Sequence, residues 1–191
     1  MGPVSSKNII IIEPHPDDAY LGCSSVLKQG IVKKIITVTT CESGRLTETQ
    51  KCAEKFKVTE LECLNFEDGK VLNNLNFLEI SLRNVLHFHP GEEPVVYIPS
   101  LWERHLDHKA VSFVGLMVCQ AFNIKPIMYS VWDKMPNCQK IPINLSEKTK
   151  EFEELYPSQV ELSEIIQPYE EFFQYSEQEI ETVHWQEWLK K

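Results

Sequence analysis

The sequence predicts an α/β fold with a mostly parallel sheet, and three observations support this class. Short β-branched runs alternate with helical stretches from residue 8 to residue 131. The first of these runs, residues 8–12, is rich in isoleucine, as in a strand buried on both faces of a sheet. The chain has 191 residues, of which 42% are hydrophobic and 25% charged, which suits one soluble core. The alternation therefore predicts a Rossmann-like, three-layer fold with helices on both faces of the sheet.

Each predicted element has its own signal. The isoleucine run 8–12 predicts the first strand, and the helix that follows, 18–29, is closed by Gly30. The third helix carries apolar residues at helical spacing and stops before Pro90. Ser176 and Glu179 form a capping box at the start of a last helix, 177–189. The other predicted strands are residues 33–40, 61–64, 95–99 and 127–131. The third helix is 75–88, and the remaining predicted helices are 46–56, 109–122 and 148–156.

One domain is expected to span residues 1–191. Residues 1–6 are interpreted as a disordered start or a remnant of a cloning vector. The strand–helix alternation loosens from Pro136, so residues 136–191 are expected to form a C-terminal tail that packs on the same domain. The oligomeric state is left open, and a homo-oligomer is compatible with the sequence.

Charge and cysteine content limit the possible binding partners and the cellular compartment of the protein. The net charge of −9 and the scattered basic residues argue against a nucleic-acid partner. No apolar run is long enough to cross a bilayer or to form the core of a signal peptide. The six cysteines include no C-x-x-C pair, which argues against a thiolate zinc site. Free thiols without a secretion signal predict a cytoplasmic protein.

Two motifs rich in metal-ligand residues follow the first and fourth predicted strands. They are residues 13–18 (EPHPDD) and 103–108 (ERHLDH). Open α/β sheets bind ligands beyond the carboxyl ends of their strands, so both motifs fall where a site is expected. Imidazoles and carboxylates are ligands for zinc.

The first motif has a functional and a structural interpretation. Two prolines restrict the loop around His15, and the adjacent carboxylates of Asp17 and Asp18 repel each other unless a cation compensates them. If Asp18 binds a metal and Asp17 acts as a free base, both carboxylates have a role. The alternative is that one of the aspartates only caps the helix.

In the second motif, His105 and His108 share a face near a helix start, so that one could bind a metal and the other face a substrate. The alternative is a capping Asp107 with two surface histidines. Two further residues are candidates for substrate contacts. Arg45 could bind sugar hydroxyls or a phosphate, and Asp68 could bind a hydroxyl or shape a turn with Gly69.

The combination of motifs resembles the LmbE-like, or PIG-L, deacetylase family. Its P-H-P-D-D segment with a following leucine and glycine matches residues 14–18 with Leu21 and Gly22, and its H-x-D-H segment matches residues 105–108. Weaker similarity at Ser43-Gly44-Arg45, Asp68-Gly69, Trp132 and residues 156–159 extends the resemblance over about residues 8–173. Two departures, at Ala19 and Thr47, concern substrate contacts: the family usually has an acidic residue at the first position and often an arginine near the second.

The resemblance implies a site and an activity. It implies zinc ligands His15, Asp18 and His108, with Asp17 as the general base and His105 steadying the tetrahedral intermediate. Asp107 is expected to orient an imidazole, as carboxylates behind metal ligands do. The implied reaction is removal of the acetyl group from an N-acetylated sugar of the N-acetylglucosamine type, or a sugar conjugate, with Zn²⁺ as cofactor. The alternatives are a mononuclear metal hydrolase of another amide or ester, and a non-catalytic metal- or sugar-binding module.

Overall fold

A computed structural model describes residues 8–40, 43–88 and 93–174. The strands are β1 (Asn8–Glu13), β2 (Val32–Thr39), β3 (Glu60–Phe66), β4 (Pro94–Pro99), β5 (Ile127–Tyr129), β6 (Gln139–Pro142) and β7 (Tyr169–Gln174). The helices are α1 (Asp18–Leu27), α2 (Ser43–Lys55), α3 (Leu75–Val85), α4 (Leu106–Ala121) and α5 (Leu145–Leu155). Short 3-10 helices at Val71–Asn74 and Pro157–Ile165 precede α3 and follow α5.

Seven strands form one sheet in the order β3-β2-β1-β4-β5-β7-β6. β1 to β5 pair in parallel, whereas β7 is antiparallel to both of its neighbours. The chain winds from β1 to β3 in one direction and resumes at β4 on the other side of β1. The loops after β1 and β4 therefore meet at the point where the winding reverses, which is where open sheets bind ligands.

Two apolar clusters cover the two faces of the sheet, and β1 contributes to both. Ile10 and Ile12 pack with α3 and α4, whereas Ile9 and Ile11 pack with α1, α2 and α5. All four side chains are buried, so each stabilises the fold by about 1.5–3 kcal/mol. Helices on both faces of a mostly parallel sheet confirm the predicted three-layer α/β class.

The predicted elements up to residue 131 all exist, with small changes at their ends. α4 begins at Leu106 rather than at residue 109, so His108 lies in its first turn. α5 begins at Leu145 because the Asn144 side chain caps it, accepting a hydrogen bond from the Glu147 N–H at 3.2 Å. The predicted last helix, 177–189, and residues 1–6 lie outside the described residues. No helix in the described ranges is both long and apolar enough to cross a membrane.

The chain after Pro136 contains two strands that the sequence analysis missed, β6 and β7. β7 is the sequence YEEFFQ, whose two glutamates argue against a buried strand, yet both carboxylates are buried. Glu170 accepts hydrogen bonds from the Ser24 Oγ, from the Ser25 N–H and hydroxyl, and from the Lys148 Nζ at 2.6 Å. Lys148 in turn donates to the carbonyl of Leu21 at 2.6 Å. This part of the chain thus attaches α1 to the sheet through a buried, fully paired ion pair.

Candidate active site

The loops after β1 and β4 bring the predicted site residues together. A cavity of about 140 Å³ is lined by six of them and by Trp132 and Leu162; the six are His15, Asp17, Asp18, Arg45, Asp68 and His105. The other two, Asp107 and His108, are fully buried, and both contact the ring of His15. All eight predicted residues therefore belong to one cluster.

Asp17 lies in the turn between β1 and α1 with an unusual backbone. Its φ of 142° is in the region that favours glycine, where another residue costs about 1–3 kcal/mol unless its surroundings hold it. It occupies the N-cap position of α1, but its side chain makes no capping hydrogen bond. The capping interpretation of Asp17 is therefore wrong. A strained backbone at a buried aspartate that does not cap the helix suits a side chain positioned for catalysis.

Three potential ligand atoms converge in the cavity wall. His15 Nδ1 lies 3.2 Å from Asp18 Oδ2 and 3.3 Å from His108 Nε2. His108 Nε2 lies 3.1 Å from the same Asp18 oxygen. Ligand atoms about 2.0–2.1 Å from a tetrahedral zinc ion are about 3.3 Å from one another. The spacing of these three atoms thus fits a small divalent cation, and the histidine and aspartate group could bind a metal.

Charge around His15 supports the same fit. Although burial opposes protonation of the ring, the carboxylates of Asp107, Asp18 and Asp68 raise the pKa of His15 to about 12. Burial would likewise raise the pKa of Asp18, but the rings of His108 and His15 hold it well below its ordinary value. The cluster therefore favours a positive charge between these side chains, which a divalent cation would supply.

The second nitrogen of His15 faces carboxylates that orient the ring. His15 Nε2 lies 3.1 Å from Asp68 Oδ1 and 3.3 Å from Asp107 Oδ2. Asp107 is itself fixed, because it accepts hydrogen bonds from the N–H of Gly69 at 2.6 Å and from the N–H of Val71 at 3.1 Å. With Nε2 donating to these carboxylates, His15 Nδ1 is left to bind a metal.

Two other groups also bring ligand atoms within 4.8 Å of one another: His15, His105 and His108, and His15, Asp68 and Asp107. The second group uses the His15 nitrogen that the carboxylates already hold, and its Asp68 side chain is 55% exposed. Asp107 is committed to two backbone amides. The buried set of His15, Asp18 and His108 is therefore the better candidate for a metal site.

His108 has a buried acidic neighbour that the sequence analysis missed. His108 Nδ1 is buried without a hydrogen-bond partner among the described residues, and Glu103 Oε2 lies 3.8 Å away. Glu103 is fully buried and accepts hydrogen bonds from the N–H groups of Val131 and Trp132. Burial raises its pKa. Glu103 thus connects His108 to the loop that brings Trp132 to the cavity.

The second motif is not a surface feature. Asp107 is buried and bonds to the loop that precedes α3 rather than capping α4, so the interpretation as a cap with two surface histidines is wrong. His105 holds the N-cap position of α4, where its Nδ1 accepts a hydrogen bond from the Asp107 N–H at 3.3 Å. Its ring meets that of His15 edge to face at 4.8 Å. His105 Nε2 is therefore the nitrogen that can carry a proton toward a substrate.

Arg45 contacts Asp17 directly. Its Nη2 lies 3.0 Å from Asp17 Oδ2, and its Nη1 lies 4.0 Å from Asp68 Oδ2. Burial, and then the charge of Asp18, raise the pKa of Asp17 well above its ordinary value, while Arg45 opposes this rise. A hydrogen bond from His15 lowers the pKa of Asp68 to about 2. Arg45 therefore faces both the cavity and the aspartate expected to act as a base.

Glu13 is a second buried carboxylate that the sequence analysis left without a role. It is fully buried at the end of β1, and its Oε2 accepts the Ala19 N–H at 2.8 Å. Its Oε1 accepts the hydroxyl of Thr37 at 2.6 Å. Burial raises the pKa of Glu13 to about 7. The available signal was position, because Glu13 and Glu103 are the first residues of the two motifs.

A family model matches the chain over residues 10–119, more than half of its length. The family is PIG-L, described as GlcNAc-PI de-N-acetylase. The chain belongs to the PIG-L family. This membership confirms the resemblance drawn from the two motifs and the predicted class of enzyme, a hydrolytic deacetylase.

Proteins named as deacetylases match this chain in sequence and in structure. The uncharacterized deacetylase YaiS of Escherichia coli is 27% identical over 60% of this chain and 69% of its own length. Diacetylchitobiose deacetylase of Thermococcus kodakarensis is 26% identical over 58% of this chain, which spans only 48% of that enzyme. The crystallised N,N'-diacetylchitobiose deacetylase of Pyrococcus horikoshii shares the fold with a TM-score of 0.63, at 17% identity over 95% of this chain and 88% of that one.

Proposed function

We propose that this PIG-L protein is a zinc-dependent hydrolase that removes the acetyl group from an N-acetylated sugar or glycoconjugate. The observation that carries the proposal is the set of three ligand atoms spaced 3.1–3.3 Å apart, with the carboxylate of Asp17 in the same cavity. Three protein ligands leave a position for water, as in catalytic rather than structural zinc sites. The family description and the name of the archaeal relative support an N-acetylated sugar as the substrate class.

His15, Asp18 and His108 would hold the metal. A zinc ion at such a site supplies Lewis acidity and a water molecule that ionises near neutral pH. The protein must then orient the ligands, and Asp107 does this for His15 through its two backbone hydrogen bonds. Glu103 lies on the opposite side of His108 and is placed to do the same.

Asp17 acts as the general base and His105 as the hydrogen-bond donor to the oxyanion. Asp17 takes a proton from the water whose oxygen attacks the acetamide carbonyl carbon. Arg45 binds Asp17 Oδ2, so Oδ1 receives this proton. His105 Nε2–H donates to the carbonyl oxygen as negative charge develops on it. Asp17 then passes the proton to the departing nitrogen, the C–N bond breaks, and acetate and a free amine leave.

Four residues around the cavity give it the character of a sugar site. Trp132 and Leu162 offer apolar surface for a sugar ring, while Asp68 and Arg45 offer an acceptor and a donor for hydroxyl groups. Asp68 is more than half exposed at the mouth of the cavity, so it can reach a ring that enters from solvent. This arrangement favours a neutral, hydroxyl-bearing group beside the acetamide.

The test is acetate release from a panel of N-acetylglucosamine derivatives, diacetylchitobiose included, by zinc-loaded and chelator-treated protein. We expect release only from the zinc-loaded enzyme. His15→Ala and His108→Ala should each lose bound zinc by elemental analysis, whereas His87→Ala, an exposed histidine after α3, should keep it. Full zinc content in the two site variants would refute the ligand assignment. Bound zinc without acetate release from any substrate would favour a non-catalytic binding module.

A further inference from the structure

Asp17 can act as a base only if its backbone is held in the unusual conformation that the structure shows. Its φ of 142° places the side chain in the cavity and not over the first turn of α1. Two contacts fix the side chain and the preceding carbonyl, because Arg45 Nη2 lies 3.0 Å from Asp17 Oδ2 and 3.4 Å from the oxygen of Pro16. Neither contact fixes the amide groups on the α1 side of the turn.

Glu13 holds those amides. Its Oε2 accepts the N–H of Ala19 at 2.8 Å and lies 3.5 Å from the N–H of Asp17. A single carboxylate oxygen thus bonds to the two ends of the strained segment. The N–H groups of a first helical turn have no partner within the helix, and Glu13 supplies one where the side chain of Asp17 does not.

Glu13 is itself held in place from β2. The hydroxyl of Thr37 donates to Glu13 Oε1 at 2.6 Å, and both residues are almost completely buried. Thr37 is the β2 residue paired with Glu13 in the sheet register. The carboxylate is therefore fixed to the neighbouring strand β2 through one oxygen, and its other oxygen faces the turn.

We propose that Glu13 is a positioning residue that fixes the backbone of Asp17, so that the Asp17 carboxylate meets the attacking water. The inference rests on the proposed function, in which Asp17 is the general base. Glu13 touches neither the cavity nor the three proposed ligand atoms in any contact that the structure describes. Its removal should therefore lower kcat without releasing zinc and without changing KM.

Two substitutions distinguish the reach of the Glu13 side chain from its charge. Glu13→Asp keeps the charge but withdraws the carboxylate by about 1.5 Å, the length of one C–C bond. Glu13→Gln keeps the reach: its oxygen can accept the Ala19 N–H, and its NH₂ can donate to the Thr37 hydroxyl. A misplacement of about 1 Å can cost about 100-fold in rate, so we expect Glu13→Asp to lower kcat by about 10- to 100-fold.

The expected pattern is a loss of kcat in Glu13→Asp, with KM within about twofold and full zinc content, and rescue in Glu13→Gln to at least about a third of the original kcat. A larger loss in Glu13→Gln than in Glu13→Asp would show that the charge of Glu13 matters more than its reach, and would overturn the proposal. Equal losses in the two variants would overturn it as well. Full activity in Glu13→Asp would also overturn the proposal, and so would a loss of bound zinc that parallels the loss of kcat. Thr37→Val, which keeps the carboxylate but removes the hydroxyl that holds it, should lower kcat by a smaller factor; a larger loss than in Glu13→Asp would also overturn it.

A second measurement does not depend on the reaction. Hydrogen exchange of the Ala19 amide, followed by NMR, should be about tenfold faster or more in Glu13→Asp than in Glu13→Gln, because only the shorter side chain loses this hydrogen bond. If the unsubstituted enzyme releases no acetate, the proposed function fails while the exchange data still test whether Glu13 holds the turn. Equal exchange rates in the two variants would contradict the role of Glu13 even in an active enzyme.

Discussion

Asp107→Asn tests how the proposed metal site is held together. The aspartate is fully buried and accepts three hydrogen bonds: from Gly69 N–H and His15 Nε2 at Oδ2, and from Val71 N–H at Oδ1. Although burial disfavours the ionised carboxylate, the bonds from His15 and Gly69 hold the pKa of Asp107 below its ordinary value. An asparagine has the same shape but only one accepting oxygen.

Either orientation of that asparagine leaves two donors facing each other. With its oxygen toward Gly69 and His15, its NH₂ group meets the N–H of Val71; with the amide flipped, the NH₂ group meets the other two donors. A buried donor left without an acceptor costs about 1–3 kcal/mol, so the free energy of unfolding should fall by about that amount. Loss of a carboxylate behind a metal-binding histidine typically costs about 10- to 100-fold in metal affinity.

Zinc affinity by chelator competition and urea unfolding of the zinc-free protein measure the two effects separately. Asp68→Asn is the matched control, because Asp68 contacts the same His15 nitrogen at 3.1 Å but is 55% exposed, where water can replace the lost acceptor. We expect its zinc affinity to change by about threefold or less. An Asp107→Asn protein with unchanged zinc affinity, or an Asp68→Asn protein with the larger loss, would refute the reasoning.

Three other substitutions test neighbouring parts of the structure. Asp17→Asn should lower kcat by about 100- to 10,000-fold with full zinc content, measured by acetate release and elemental analysis; a loss under tenfold would exclude the role of general base. Glu103→Gln should weaken zinc binding by about tenfold or more in the same competition assay, and an unchanged affinity would show that Glu103 does not support His108. Lys148→Met should lower the free energy of unfolding by about 3–5 kcal/mol, because it leaves Glu170 buried without its cation. The control Lys28→Met removes ion pairs with Glu147 and Glu151 from a lysine side chain that is 37% exposed, and it should cost less than about 1 kcal/mol in urea unfolding. Equal losses in the two variants would contradict the importance of the buried pair.

The sequence was sufficient for the fold class because its strongest signals are local. Isoleucine-rich strands such as 8–12 and helices with apolar residues at helical spacing can be recognised without tertiary information. β6 and β7 could not be recognised in this way. β6 has four residues, mostly exposed, and the two glutamates of β7 are buried only because partners from α1, α5 and the segment at Met135 reach them.

The same limit applies to the site. The motifs placed His15, Asp17, Asp18, His105 and His108 at one edge of the sheet, and the structure brings them together there. The residues that hold these side chains in place could not be recognised from the motifs. The contact of Glu13 with Ala19 and Thr37, and the approach of Glu103 to His108, depend on how strands and loops meet in space. A sequence pattern shows which groups can carry out the chemistry better than it shows which groups orient them.

The buried pair of Lys148 and Glu170 bears on how far this protein could be shortened or its site transplanted. The segment matched by the family, residues 10–119, contains all three proposed zinc ligands. Yet α1, which begins with Asp18, is attached through Ser24, Ser25 and Leu21 to side chains from α5 and β7, beyond that segment. A chain ending at residue 119 would retain every ligand but leave the helix behind them without its anchor. A shortened chain that keeps Asp18 in place must therefore include the residues that hold α1, and it extends at least to residue 170.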